Sequence, residues 1–476
     1  MLRKIINTTL FLPLSFFVTF QQSILSENKN FIDEIIRINE DKIFIDHQEI
    51  KNIILNNDEL KSLEELIEAS SFNLSSKIAK RYPSIDLQAN GLPKYVAGRN
   101  YNSNSNNTKT SQFSVNPSLN IRWDLIDPLR GPEIKIAREN LKIAKNNYEI
   151  KRKDLIQEAS TRYHKYQKSS QDIVNKKLAL DLSMTSLENA QAKLDAGIGT
   201  KFEVLEADAQ LSRDKQALYE KKIEHQINKI SLKEILNLKE DFEIKKEQKL
   251  LGYWNHKLNK NIKNGLESNL SLKNISLQKS IKDNEANSFL NSNKPSIYIS
   301  NSLSSAFTKG DSLAIDIDPN EYGSSYSNTI SLNLSWNIFN GGQNKKSYKS
   351  RKSQAKGEEY SYNNLKSVLK TNITKAYLNL KLNEEKILST SKEILSTKES
   401  LRLARLRYDV GISTLKDVLV RQKELSDAKS KNINAIYNYN LNLDELERLT
   451  FLEISNNCLD NDNTIKQTES ICNIPR

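Results

Sequence analysis

The sequence predicts a mixed fold in which long α-helical coiled-coil hairpins are combined with four β-strands per chain. Three observations lead there: an internal repeat, two pairs of segments that alternate apolar and polar residues, and two pairs of long tracts almost free of Gly and Pro. The repeat shows in Ser118-Leu119-Asn120-Ile121-Arg122-Trp123-Asp124-Leu125-Ile126-Asp127, which returns as Ser331-Leu332-Asn333-Leu334-Ser335-Trp336-Asn337-Ile338-Phe339-Asn340. In the same order, Asp195-Ala196-Gly197-Ile198-Gly199-Thr200 with Val204 and Leu205 returns as Asp409-Val410-Gly411-Ile412-Ser413-Thr414 with Val418 and Leu419, and Pro83-Ser84-Ile85 returns as Pro295-Ser296-Ile297. Motifs that keep one order and one offset mark a structural unit built twice.

The elements follow in chain order. Residues 1–25 have a short basic head, Met1-Leu2-Arg3-Lys4, and a mainly apolar run over 5–20, the pattern of a secretory signal peptide rather than a membrane span. Residues 26–55 form an N-terminal extension with no assignable structure, and the first repeat is expected over 56–251. It opens with a helical run from 58 to about 80, stopped by Pro83. Ile85, Leu87 and Ala89 then alternate with Ser84, Asp86, Gln88 and Asn90, the two-residue rhythm of a strand with one apolar face. A Gly-, Asn- and Ser-rich loop is expected over 91–111, after which Phe113, Val115, Leu119, Ile121, Trp123 and Leu125 face one way and Ser114, Asn116, Ser118, Asn120, Arg122 and Asp124 the other.

The tracts 133–196 and 200–251 contain neither Gly nor Pro. Helices of about 50–60 residues would run on the order of 80 to 90 Å. Ala137, Leu141, Ala144, Tyr148 and Leu155 keep a coiled-coil seam in the first repeat, as Ile387, Ile394, Leu401 and Tyr408 do in the second. The Gly-containing segments 196–200 and 410–414 join the arms into hairpins. The second repeat, 252–451, has the same plan: Ile297, Ile299 and Leu303 against Ser296, Ser300 and Ser302, a loop over 306–327, then Ile330, Leu332, Leu334, Trp336 and Ile338 against Ser331, Asn333, Ser335 and Asn337. Gly357 interrupts its first arm, and a C-terminal tail over 452–476 carries the two cysteines, Cys458 and Cys472. In an exported chain that pair favours a disulfide over metal binding, with two free thiols as the alternative.

Net charge is +12, but Lys and Arg alternate with Glu and Asp along the helical tracts, which makes them solvated faces rather than a nucleic-acid patch. His47, His164, His225 and His256 lack ligand spacing and are expected to be exposed. With no nucleophile elbow, phosphate loop or paired-Cys metal pattern, the chain reads as no enzyme, without cofactor or metal.

An exported chain with strands of about ten residues, apolar on one face, matches the wall of a transmembrane β-barrel. Four strands cannot close a barrel, and an open edge in lipid would strand backbone polar groups at several kcal/mol each. Three copies would supply twelve strands, with a wet Ser- and Asn-lined lumen and long helical arms beneath.

The stretch Tyr408-Asp409-Val410-Gly411-Ile412-Ser413-Thr414-Leu415-Lys416-Asp417-Val418-Leu419, followed by Gln422, Leu425, Ala428 and Ala435-Ile436-Tyr437-Asn438-Tyr439, resembles the recurrent signature of TolC-like outer-membrane efflux proteins. A weaker copy spans 194–205, and Asn56-Asn57-Asp58-Glu59-Leu60 with Pro83-Ser84-Ile85 resembles that family's first helix and first strand. The resemblance covers about 46–451. It implies a homotrimeric channel-tunnel of a tripartite efflux or type I secretion system: a twelve-stranded barrel in outer-membrane lipid, continued by an α-helical barrel into the periplasm. It also implies two partners, a periplasmic adaptor (membrane fusion) protein and an inner-membrane pump of ABC, RND or similar type.

The resemblance further implies that the turn residues Gly197, Ile198, Thr200, Gly411, Ile412 and Ser413 contact the adaptor. It places Asp417, and Glu203 in the first repeat, at the periplasmic gate, although Val420 stands where a second acid is expected and Lys416 and Lys201 lie nearby. Trp123 and Trp336, with Tyr95 and Tyr298 as further candidates, suit a membrane interface. The rival readings are an exported periplasmic coiled-coil scaffold or the adaptor itself, and a DNA-binding coiled coil that would leave the signal unexplained.

Overall fold

The computed structural model describes residues 43–100, 108–244, 250–311 and 322–455. A short strand, β1 (Ile43–Ile45), and helical turns lead into α1 (Asp58–Ala79), capped by the Asn57 side chain accepting from the Glu59 amide. There follow β2 (Ser84–Asn100), β3 (Thr108–Ile126), α2 (Arg130–Asp195) and α3 (Lys201–Ile235). After β4 (Phe242–Ile244) and α4 (Leu258–Ser268), the succession runs again as α5 (Leu270–Asn291), β5 (Ser296–Asp311), β6 (Tyr322–Ser335), α6 (Gln343–Asp409) and α7 (Leu415–Thr450). Counterparts match in length: 22 residues in α1 and α5, 66 and 67 in α2 and α6, 35 and 36 in α3 and α7. The long arms therefore reach about 100 Å and the short arms about 53 Å. Since each short arm covers about half of its long partner, α1 and α5 pack along the remainder of α2, and α5 also along α6.

The strands differ from expectation in being longer, 17, 19, 16 and 14 residues in β2, β3, β5 and β6. Most of the segment 91–111, and both ends of 306–327, are strand rather than loop. Gly91 adopts φ +76° at a register shift between Asn90 and Lys94, which absorbs the irregularity and lets pairing resume with Tyr95 opposite Phe113. The first short arm is shorter than expected because Asn237, at φ 50°, turns the chain where no Gly or Pro warns of it. The chain then enters β4, which pairs in parallel with β1 through Ile43–Phe242, Phe44–Glu243 and Ile45–Ile244.

This small sheet anchors a collar around the middle of the arms. Ile45, Ile50, Ile54, Leu60, Leu155, Ala159, Tyr163, Leu232 and Phe242 form its first core. A second gathers Trp254, Leu380, Tyr439, Leu443 and Leu446, with the Tyr439 hydroxyl donating to the Gly252 carbonyl at 3.1 Å. Gly265 lets α4 cross close to α6 and α7: a Cβ there would lie 2.5 Å from Ile373 Cδ1 and 2.9 Å from the Leu449 carbonyl oxygen. Gly265→Val is therefore expected to destabilise the collar by about 1–3 kcal/mol. A denaturant midpoint equal to wild type would contradict that close approach.

None of the four histidines is exposed, contrary to the expectation from spacing. His164 is buried on α2 with Nε2 3.1 Å from Asp444 Oδ2, and His47 stacks on it at 5.0 Å between ring centroids. Burial alone would push the Asp444 carboxyl up, but the adjoining imidazoles of His164 and His47 outweigh it and hold the carboxyl at about 2. His225 stacks on Tyr166, and His256 meets Trp254 edge-on. Sequence spacing misses the contacts of His47, His164 and His225 because their partners come from distant segments.

Candidate functional site

The strands β2-β3-β5-β6 form one antiparallel meander, with β2 and β6 at its two open edges. Register gives its faces opposite chemistry. On one, Leu87, Leu119 and Leu303 align in a row, Ile85 with Ile121, and Trp123 with Ile299 and Leu332. On the other, Ser84, Arg122, Ser300 and Ser331 form a row, and Asp86, Asn120, Ser302 and Thr329 the next. The polar face is knitted by side chains: Ser302 Oγ donates to Asn120 Oδ1 at 2.8 Å and Asn333 Nδ2 to Ser300 Oγ at 2.9 Å. Within the described residues no helix covers the apolar face, and Ile330 and Leu332 stand 72% and 71% exposed. That is a large unpartnered apolar surface.

Trp123 and Trp336 occupy equivalent places. The Trp123 indole N–H donates to the Arg81 carbonyl at 3.0 Å, and that of Trp336 to the Asn293 carbonyl at 2.8 Å, while both rings remain exposed. Each therefore clamps its strand to the helix-to-strand junction just before the matching Pro83 or Pro295. Those two carbonyl acceptors carried no signal in the sequence. Tyr95 lies on the apolar face against Phe113. Tyr298 lies on the polar face, opposite Asp124 and Asn333, with the Arg122 guanidinium 3.7 Å above its ring. Its alternation with Ile297 and Ile299 dictates this, so it stands on the opposite face from Trp123.

At the far end of the arms both turns are Schellman motifs. Gly197 at φ +74° donates to the Leu194 carbonyl and Ile198 to that of Lys193; Gly411 at φ +77° donates to Tyr408 and Ile412 to Arg407. The turns leave Ile198 and Ile412 77% and 79% exposed. Behind them Ala190, Ala207, Leu401, Tyr408, Leu415 and Val418 pack into a tip core that holds the two hairpins side by side. Lys193 donates to the Tyr408 carbonyl at 2.6 Å and lies 3.6 Å over its ring, a tie between the hairpins that the sequence did not announce.

Glu203 and Asp417 each sit three residues past an N-cap, Thr200 and Thr414. Glu203 closes a capping box with Thr200, through contacts of 3.2 and 3.4 Å. Asp417 accepts from the Ser413 hydroxyl at 2.6 Å, which lowers its carboxyl below the ordinary range. Glu203 thus has a local capping task, and Asp417 is held by a side-chain bond just past the second turn. Cys458, Cys472 and residues 1–25 lie outside the described residues. Among those described, no helix is long and apolar enough to cross a membrane.

The family model described as outer membrane efflux protein matches residues 50–238 and 267–450. Among solved structures, CusC is similar at 14% identity and TM-score 0.72, covering 87% of this chain and 95% of that one. The Campylobacter jejuni CmeC outer membrane channel is similar at 16% and 0.67, covering 85% of each chain. VceC, an outer membrane protein from Vibrio cholerae, is similar at 14% and 0.68, covering 85% of this chain and 96% of that one. At these identities the structural likeness is one of fold. No curated protein sequence matches the chain.

Proposed function

This chain belongs to the outer membrane efflux protein family, and we propose from that premise that three copies close into a passive exit duct. It is an outer-membrane efflux channel that extends into the periplasm, in a family of channels rather than enzymes. The observation that carries the reading is the four-stranded meander, apolar and uncovered on one face, open at both edges and set on two long hairpins. Pairing β6 of one copy with β2 of the next continues the antiparallel order, so three copies leave no edge in lipid. The apolar face meets hydrocarbon, and the Ser- and Asn-rich face lines a wet lumen. The clamped indoles of Trp123 and Trp336 settle at the membrane–water interface. Beneath the barrel, the paired arms of three copies complete the conduit.

At the tip, Ile198 and Ile412, presented by Gly197 and Gly411 and flanked by Thr200 and Ser413, form the seat for a periplasmic adaptor coupled to an inner-membrane pump. Apolar side chains held outward on rigid turns suit such docking. Threefold symmetry gathers Glu203 and Asp417 into rings of negative charge at a narrow mouth, where they favour cations.

Planar-bilayer recordings of the reconstituted protein test both levels. The wild type is expected to conduct with cation preference, and the Glu203→Gln, Asp417→Asn double variant to shift the reversal potential in a salt gradient. Identical reversal potentials would remove the acids from the passage. A stably monomeric protein that conducts nothing would overturn the channel itself.

A further inference from the structure

Three residues from remote parts of the chain converge in the collar: His47 just after β1, His164 on α2 and Asp444 on α7. Their donor atoms lie within 4.8 Å of one another. Asp444 turns one oxygen to each ring, Oδ2 at 3.1 Å from His164 Nε2 and Oδ1 at 3.6 Å from His47 Nε2. An ion held about 2.0–2.2 Å from nitrogen and oxygen donors in a tetrahedral shell places neighbouring donors about 3.3 Å apart. The two observed spacings, each to a different oxygen of Asp444, lie on either side of that value, and the three residues offer donors that all lie within 4.8 Å of one another.

The side chains of His47, His164 and Asp444 are only 11%, 3% and 6% exposed, and His47 Nε2 is buried with no hydrogen-bond partner. A buried imidazole nitrogen that approaches a carboxylate at 3.6 Å without hydrogen-bonding it has the geometry of a metal ligand. Access exists too, since His47 and Asp444 line a cavity of about 250 Å³ together with Gln157 and Ser160. Four cations border that cavity: Lys51 pairs with Glu447, Arg152 with Glu149 and Arg448 with Asp154, while Lys153 lies 3.4 Å over the Phe451 ring. Two imidazoles and one carboxylate select borderline first-row metals and not calcium or magnesium, which demand oxygen shells.

We propose that His47, His164 and Asp444 form a binding site for a divalent transition metal of the zinc class, with water from the adjoining cavity completing the shell. The bound ion ties the N-terminal segment to one arm of each hairpin, and so fastens the collar. An ion that binds only the folded collar raises its stability by mass action.

Titration of the metal-free, full-length protein in detergent with cobalt(II) chloride tests this through visible d–d absorption, with melting temperature in added zinc chloride as a second measurement. About one cobalt per chain is expected, together with a zinc-dependent rise in melting temperature. His47→Gln and, separately, Asp444→Asn should weaken binding more than about tenfold and abolish the rise. A Cys458→Ser, Cys472→Ser variant should keep both responses. No cobalt spectrum in the wild type would overturn the site, as would binding that survives His47→Gln in folded protein, and the trio would then be a hydrogen-bonded cluster only. Neither result touches the channel reading, which rests on the sheet.

Discussion

Gly411→Trp is expected to assemble normally in the outer membrane and to export nothing. Gly411 holds φ +77°, and a Cβ there meets no atom within 4 Å. A side chain at that backbone angle costs about 1–2 kcal/mol, a small loss for a turn backed by the tip core. The hairpin should therefore fold and the trimer form. The indole, however, would stand beside Ile412, the most exposed apolar side chain of either turn. There it would fill the seat assigned to the adaptor and uncouple the duct from its pump. Gly411→Ala has the same backbone cost with little bulk, and should transport nearly as wild type. Cellular accumulation of an exported dye, measured beside the trimer content of the outer membrane, separates the two. Normal efflux by assembled Gly411→Trp would remove the docking role from this turn.

Leu332→Arg is expected to prevent stable insertion. Leu332 lies on β6 opposite Ile299, within the uncovered apolar face. Arginine near the bilayer midplane costs about 2–4 kcal/mol, hence roughly 6–12 kcal/mol over three copies. Ser331, its immediate neighbour, points to the other face opposite Ser300. Ser331→Arg should insert and leave trimer yield close to wild type. Equal yields of membrane-embedded trimer for both variants would mean that the apolar face is not in lipid.

What sequence can and cannot disclose divides along the same lines of physics. The repeat, the two faces of the wall and the two turns were legible because each is written in local periodicity or in glycines that a reversal requires. The bonds of Glu203 to Thr200 and of Asp417 to Ser413 are less legible, although Thr200 and Glu203 have capping-box spacing. The collar was not legible. Its β1–β4 pairing joins segments about two hundred residues apart, Asn237 performs a turn usually left to glycine, and His164 meets Asp444 across 280 residues. Strand length was underestimated because Ser-, Asn- and Gly-rich sequence looks like loop, whereas a hairpin wet on both sides tolerates it as ladder.

Those long strands have a consequence for what the cell presents to its surroundings. Strands of 14 to 19 residues, rising about 3.3 Å per residue and tilted near 40°, make a wall about 35–50 Å tall. The apolar band of such walls is about 25 Å high. The remainder extends past the apolar band as a rim built from the distal ends of β2, β3, β5 and β6, with Tyr322 and Tyr326 on its flank. In the proposed trimer the duct thus opens past the hydrocarbon layer, and whatever leaves it is released above the apolar core it has just crossed.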